Sequence, residues 1–257
     1  ADHTKQPYLR YSFKSDATSV KTAKDTGADS HFMTTVPDDA YDDNPAATST
    51  ETVDVTKIVA SAKCEDMKFW SPDSPNLYDV YTVLKDSEGN VLDVQKTTTG
   101  FRKVEYDIND GGLKINDQPV WLTGYAQRST NEWAVIGVAN DWLQDLDMQW
   151  IKESNSNFIR WMHVAPKPSQ IRSGDKYGVV SACPAGDKEG DVDGRAWDQR
   201  VEAMRDAMIY FRNSPSVIFW EAGNNAVTAA HQQEMTDLKN TLDPNGERFC
   251  GCRTISS

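Results

Sequence analysis

A short apolar run that stops abruptly in polar residues organises this chain. It lies between Ser216 and Asn225 and reads SVIFWEAGNN. Val217 to Trp220 has the continuous apolar character of a parallel strand buried in a sheet. Glu221, Asn224 and Asn225 then place polar groups at its C-terminal end. In α/β folds that end is where ligands bind and chemistry occurs. The stretch therefore predicts both a strand and a site.

The surrounding chain supports an alternation of strands and helices. The spacing predicts strands at Val120–Tyr125, Asn157–His163, Gly178–Cys183 and Arg248–Ile255, with the opening stretch fourth among the five. Asn140 is expected to cap a helix whose Leu143, Leu146, Trp150 and Ile151 share a face, and a short helix is expected after Pro168. Asp198 is expected to cap a helix burying Val201, Met204, Met208 and Phe211. Thr228 is expected to cap one burying Met235, Leu238 and Leu242. Repeated β–α units with short connections imply a parallel sheet, closed as a barrel or open and doubly wound. No glycine-rich nucleotide fingerprint follows the first strand.

Residues 1–104 read differently. Tyr8 to Phe13 alternates like a half-buried strand, and Val53 to Ala60 is a further strand candidate. Asp25 to Thr52 has the composition of a loop. Tyr78 to Leu84 and Val91 to Thr97 flank a turn at Ser87–Asn90, a hairpin signal. A small β-sandwich is expected here. A second tight hairpin, turning at Asn116 and Asp117, follows it.

With 39 Asp and Glu against 27 Lys and Arg, the chain carries a net charge of -12. Nucleic acid and anionic membranes need a basic footprint, so neither is an expected partner. No apolar run approaches the ~20 residues that span a bilayer. Cys64, Cys183, Cys250 and Cys252 lack metal-site spacing and read as buried thiols, so neither metal nor cofactor is expected. The Trp and Tyr content suits core packing or stacking on sugar rings.

Several blocks, in order, resemble glycoside hydrolase family 2, the β-galactosidase and β-glucuronidase family. FWSPDSPNLY at Phe69–Tyr78 is similar to that family's W-S-P-x-x-P-x-L-Y. Gly100-Phe101-Arg102 and then INDQPV at Ile115–Val120 resemble its G-F-R and L-N-G-K-P-V. NFIRWMHVAP at Asn157–Pro166 is similar to N-x-x-R-x-x-H. RNSPSVIFW at Arg212–Trp220 is similar to R-N-H-P-S-I-x-x-W. The resemblance covers about residues 68–255. It implies an immunoglobulin-like β-sandwich over 1–104 followed by a partial (β/α)8 TIM barrel over 105–257. It further implies a retaining glycosidase that removes terminal β-linked sugars from an oligo- or polysaccharide. Such hydrolysis needs two carboxyl groups about 5 Å apart.

The resemblance assigns Arg160 and His163 to orienting sugar hydroxyls or the nucleophile, or to hydrogen bonding under the barrel rim. It matches Asn224 to an asparagine that bonds the sugar 2-hydroxyl. Trp220 is either barrel core or a sugar platform. A secreted or periplasmic location also follows from the family alone.

Two departures qualify that reading. The family pattern G-N-E is here Gly223-Asn224-Asn225, and an amide cannot donate the proton a leaving oxygen needs. Glu221 is the nearest carboxylate, on the same face and deeper unless the strand end bulges. Asp187, Glu189 and Asp191, on a glycine-bearing acidic loop, are rival donors, or that loop is solvated or binds a cation. Second, about five barrel strands are present and no stretch matches the nucleophile strand. The chain is thus expected to be part of a larger glycosidase or to associate, and to be inactive alone. The alternative is a catalytically impaired carbohydrate-binding or scaffolding protein.

Overall fold

A computed structural model describes residues 9–13, 20–24, 66–128, 140–184, 186 and 190–256. The chain divides into two compact units, Ala1–Asp66 with Tyr81–Lys96 and Met67–Val80 with Thr97–Ser257. The strand candidate at 53–60 and the loop at 25–52 lie outside the described residues. Strands β1 (Leu9–Phe13) and β2 (Val20–Lys24) pair antiparallel. A tight ladder joins β3 (Trp70–Ser71) to β4 (Ser74–Pro75). The expected hairpin forms from β5 (Tyr78–Lys85) and β6 (Val91–Thr99). Its turn closes with Asp86 N donating to the Asn90 carbonyl at 3.0 Å, and Gly89 takes a positive φ of 88°.

A three-stranded antiparallel sheet follows, built from β7 (Val104–Asp107), β8 (Gly112–Ile115) and β9 (Gln118–Pro119). The β8–β9 turn falls at Asn116 and Asp117, with φ of 54° and 64°. Two consecutive positive φ values are what a two-residue hairpin of this twist requires, and Asn and Asp tolerate them.

The rest of the chain alternates strand and helix. β10 (Gly124–Arg128), β11 (Phe158–Met162), β12 (Val180–Pro184), β13 (Val217–Gly223) and β14 (Phe249–Cys252) form one five-stranded sheet in sequence order. Every neighbouring pair is parallel. Helices α1 (Asp141–Glu153), α2 (Pro168–Tyr177), α3 (Arg195–Phe211) and α4 (Ala229–Leu242) supply the crossovers. The helices bury Met148, Ile171, Met204 and Met235 against Ile159, Trp161 and Trp220 of the sheet.

Three local expectations are corrected. β10 begins at Gly124 rather than Val120, because Val120 and Leu122 are partly buried against the second core and are not in a ladder. α1 buries Gln144, Met148 and Ile151, leaving Trp150 at 55% exposure, and Asn140 makes no side-chain cap bond. α3 starts at Arg195 behind Gly194, so Asp198 sits in its first turn, where a carboxylate favours the helix dipole. α4 forms as read, with Thr228 Oγ1 accepting from His231 N.

The base of β13 is secured by side chains from distant segments. The Asn213 carbonyl accepts from Thr99 Oγ1 at 2.6 Å, and that of Ser214 from Arg248 Nη2 at 2.9 Å. The Pro215 carbonyl accepts from Arg102 Nε at 2.6 Å, and that of Ser216 from Ser181 N at 2.8 Å. Arg102 Nη2 and Arg248 Nε both reach the Val217 carbonyl, each at 2.8 Å. The Asp175 carboxylate accepts from Ser216 N at 2.9 Å, and its backbone carbonyl accepts from the Trp70 indole at 2.8 Å. Each carbonyl so satisfied avoids a cost of about 1–3 kcal/mol. The sequence blocks around Trp70, Arg102 and Arg212 thus meet in a second core and a polar clamp that fix where β13 begins.

Candidate functional site

Along β11, Ile159 and Trp161 enter the core beneath the helices, so Arg160 projects from the opposite face of the sheet. Two strands away, β13 carries an irregularity. Glu221 pairs with Gly251 of β14, yet Gly223 pairs with the very next residue, Cys252. The extra residue on β13 is a bulge, a device that re-aims side chains.

The structure brings Arg160, Glu221 and Asn224 together. Arg160 Nε donates to Glu221 Oε2 at 2.8 Å, and Arg160 Nη2 donates to Glu221 Oε1. The same Nη2 donates to Asn224 Oδ1 at 2.8 Å. Glu221 is 3% exposed and Asn224 4%. The Glu221 hydrogen bond raises the Arg160 pKa above its ordinary value, against a smaller lowering from burial. A bidentate charge-assisted pair of this kind is strong and directional. It also commits both Glu221 oxygens.

The backbone just beyond is constrained. A Cβ on Gly223 would come within 2.6 Å of Val227 Cγ2, so a side chain there would force buried Val227 to shift. Ala226 has a φ of 50° and donates its N–H to Thr254 Oγ1 at 2.8 Å. Left-handed backbone at a residue with a Cβ is costly and recurs at functional sites. Half-buried Asn225 lies in this turn.

His163 lies one residue past the end of β11, 8% exposed, after a cis Met162–His163 peptide bond. Trp220 corrects the platform alternative. It is 0% exposed, packs in the core beneath the helices, and donates Nε1 to Asp243 Oδ2 at 3.0 Å. No sugar ring reaches it there. Asp187 and Glu189 lie outside the described residues.

Asp191 has a role that sequence reasoning missed. Its carboxylate meets His231 Nδ1 at 2.8 and 2.9 Å and accepts from Thr228 N at 2.9 Å. Burial raises its pKa, but bonds from Thr228 N, His231 and Val192 N outweigh this and hold it below the ordinary carboxylate range. An acid held ionised is a poor proton donor, which corrects the rival-donor reading of Asp191. Trp197 stacks on His231 with ring centroids 3.8 Å apart. The only sequence hint was a histidine in the first turn of the helix that follows β13.

Cys183, Cys250 and Cys252 are free thiols, and burial raises the pKa of each. Cys64 lies outside the described residues. Among the described residues no three His, Cys, Asp or Glu converge as a metal site. Among them, too, no helix is long and apolar enough to cross a membrane. A cavity of about 500 Å³, lined by Phe69, Arg102, Arg212 and Arg248, opens at the opposite ends of the strands, at the clamp.

Five parallel strands in sequence order with helical crossovers, and polar side chains gathered at their C-terminal ends, have the architecture of part of a (β/α) barrel with a site at its mouth. Comparison with known proteins makes this specific. The sequence profile of Glycosyl hydrolases family 2 matches residues 4–102, and the profile of that family's TIM barrel domain matches residues 106–249. The chain belongs to glycoside hydrolase family 2. Its fold class is an immunoglobulin-like β-sandwich followed by a partial (β/α)8 barrel.

A curated relative, "Beta-glucuronidase" of Formosa agariphila, is 36% identical over 198 residues, covering 77% of this chain and 20% of that protein. "Beta-galactosidase 2" of Enterobacter cloacae is 30% identical over 188 residues, covering 68% of this chain and 18% of that protein. The chain thus spans about a fifth of these relatives. Among solved structures, a family 2 β-glucuronidase superposes with a TM-score of 0.65 at 34% identity, covering 73% of this chain and 20% of that one. A β-glycosidase from Bacteroides vulgatus superposes with a TM-score of 0.62 at 26% identity, covering 72% and 24%.

Proposed function

We propose that the protein carrying this chain is a retaining β-glycosidase that removes terminal β-linked sugars from an oligo- or polysaccharide. The observation that carries this reading is the Arg160–Glu221–Asn224 constellation at the C-terminal ends of parallel strands. Family membership and relatives named for β-glucuronide and β-galactoside cleavage support it. In this reading Arg160 and Asn224 bind the sugar. The nucleophile in this reading is the carboxylate that the family resemblance places on a later barrel strand. Glu221 is not the proton donor, since both its oxygens serve Arg160. Asp187 and Glu189 are the remaining candidates on this chain.

One observation favours a second reading. Asn225 stands where the family pattern has its acid/base glutamate, and general acid–base catalysis contributes about 10²–10⁴ in rate. A protein without that group would bind carbohydrate without cleaving it. The experiment is phenol release from aryl β-galactosides and aryl β-glucuronides by the full-length protein, with calorimetric titration of the free sugars alongside. Turnover that falls in Asp187→Ala or Glu189→Ala and returns with azide supports the glycosidase. Binding without turnover supports the second reading. Neither binding nor turnover would sink both.

A further inference from the structure

We propose that Glu221 is a positioning and selectivity residue, holding Arg160 and cancelling its charge so that the site accepts neutral sugars. The inference rests on the glycosidase reading above. Its basis is the geometry of three side chains. Glu221 is 3% exposed and gives both oxygens to one guanidinium. The planar fork of arginine matches a carboxylate in one orientation, so this contact fixes the guanidinium plane.

The consequence passes to Asn224. Its Oδ1 accepts from Arg160 Nη2 at 2.8 Å. An asparagine side chain has one acceptor and two N–H donors. With Oδ1 bound to the guanidinium, the side chain has its Nδ2 donors left for a ligand. Glu221 thus sets, through Arg160, which end of the Asn224 amide a sugar oxygen meets.

Charge is the second consequence. Arg160 and Glu221 together are neutral. Without Glu221, Arg160 would be a cation with 23% side-chain exposure beside the sugar-binding amide. Opposite charges at such separations attract strongly in a partly buried site. That cation would favour a sugar carrying a carboxylate over one carrying a hydroxymethyl group. Glu221 removes this bias.

The test compares the full-length protein with Glu221→Gln and Glu221→Asp. Two readouts are used. The first is selectivity, the ratio of kcat/KM for an aryl β-glucuronide to that for an aryl β-galactoside. Glu221→Gln is expected to raise the ratio about tenfold or more, given the Coulomb energies available in such sites. Glu221→Asp keeps the charge and is expected to lower both rates while leaving the ratio near the wild-type value. A merely structural role would lower both sugars together in Glu221→Gln, and that result overturns the proposal.

The second readout needs no activity. NMR hydrogen exchange of the Arg160 Nε–H, donated to Glu221 Oε2 in the wild-type protein, should accelerate in Glu221→Gln and stay slow in Glu221→Asp. Unchanged exchange in Glu221→Gln also overturns the proposal. If the wild-type protein cleaves neither glycoside, the glycosidase reading and the selectivity half fail, while exchange still decides the positioning. Where Glu221→Gln does not fold, the double variant Arg160→Gln with Glu221→Gln takes its place. Its expected ratio is the wild-type one. A ratio raised about tenfold there would overturn the role assigned to the pair.

Discussion

Arg102 donates its Nη2 to the carbonyl of Val217 at 2.8 Å, across 115 positions of sequence. The same guanidinium holds the carbonyls of Pro215 and Gly246. Burial, and then the charge of Arg248 beside it, lowers its pKa below that of an ordinary arginine. A half-buried cation that donates to three backbone carbonyls does one thing well. It fixes the start of a strand.

Replacing Arg102 with methionine should therefore unfold the base of β13 more than the loss of one exposed charge would suggest. Three carbonyls lose a donor, and the expected loss is about 3–4 kcal/mol. Urea unfolding measures it. A loss near zero would show that the clamp is ornamental.

Asp175 predicts a pH dependence. Burial, opposed by hydrogen bonds from Ser216 and Ser214 and by the charge of Arg248, pushes its pKa up from 3.8 to about 6. The folded state therefore binds its proton more tightly than the unfolded state. Stability from this group is full below its unfolded pKa and is lost as pH rises through its folded pKa. The cost above that point is about 3 kcal/mol, at 1.36 kcal/mol per pKa unit. Asp175→Asn keeps an oxygen for the Ser216 N–H but cannot titrate. The stability of Asp175→Asn relative to wild type should rise by about 3 kcal/mol between about pH 4 and about pH 7. A flat difference would contradict the assignment.

Trp220→Phe separates core from platform. It removes the donor to Asp243 Oδ2, which still accepts from Arg248 Nη1 at 3.2 Å. The expected loss of stability is about 1–2 kcal/mol. Sugar affinity, read by calorimetry, should not change. A lowered affinity with unchanged stability would restore the platform.

Gly178→Ala probes the packing of the Pro72 segment. Gly178 ends α2 with a φ of 74°, and a Cβ there would lie 2.2 Å from the Pro72 carbonyl oxygen. Both the backbone region and the clash oppose alanine, so a loss above about 1 kcal/mol is expected. Thermal unfolding of the variant against wild type measures it.

What the sequence made legible follows from how far each signal reaches. β13 was readable because its apolar run and polar end are contiguous. α4 was readable because Met235, Leu238 and Leu242 repeat with the helical period and Thr228 supplies a cap. The buried face of α1 was misjudged because Trp150 is apolar yet lies at 55% exposure, while polar Gln144 is buried. The partnership of Arg160 and Glu221 spans 61 positions and leaves no local trace. The Asp191–His231 contact, 40 positions apart, is equally silent. Family motifs carried the rest, and much of their physical content turned out to be the clamp.

The bulge in β13 lies between two regimes of constraint. Below it, the turn at 213–217 is held by groups that never touch the rim. Above it, Asn224, Asn225 and Ala226 sit on backbone whose position the clamp has already settled. Anchorage and chemistry therefore occupy different residues of one strand. Selection can exchange the side chain at 225 without loosening the register that presents it. An asparagine there, in place of the family's glutamate, is the kind of divergence such an arrangement permits.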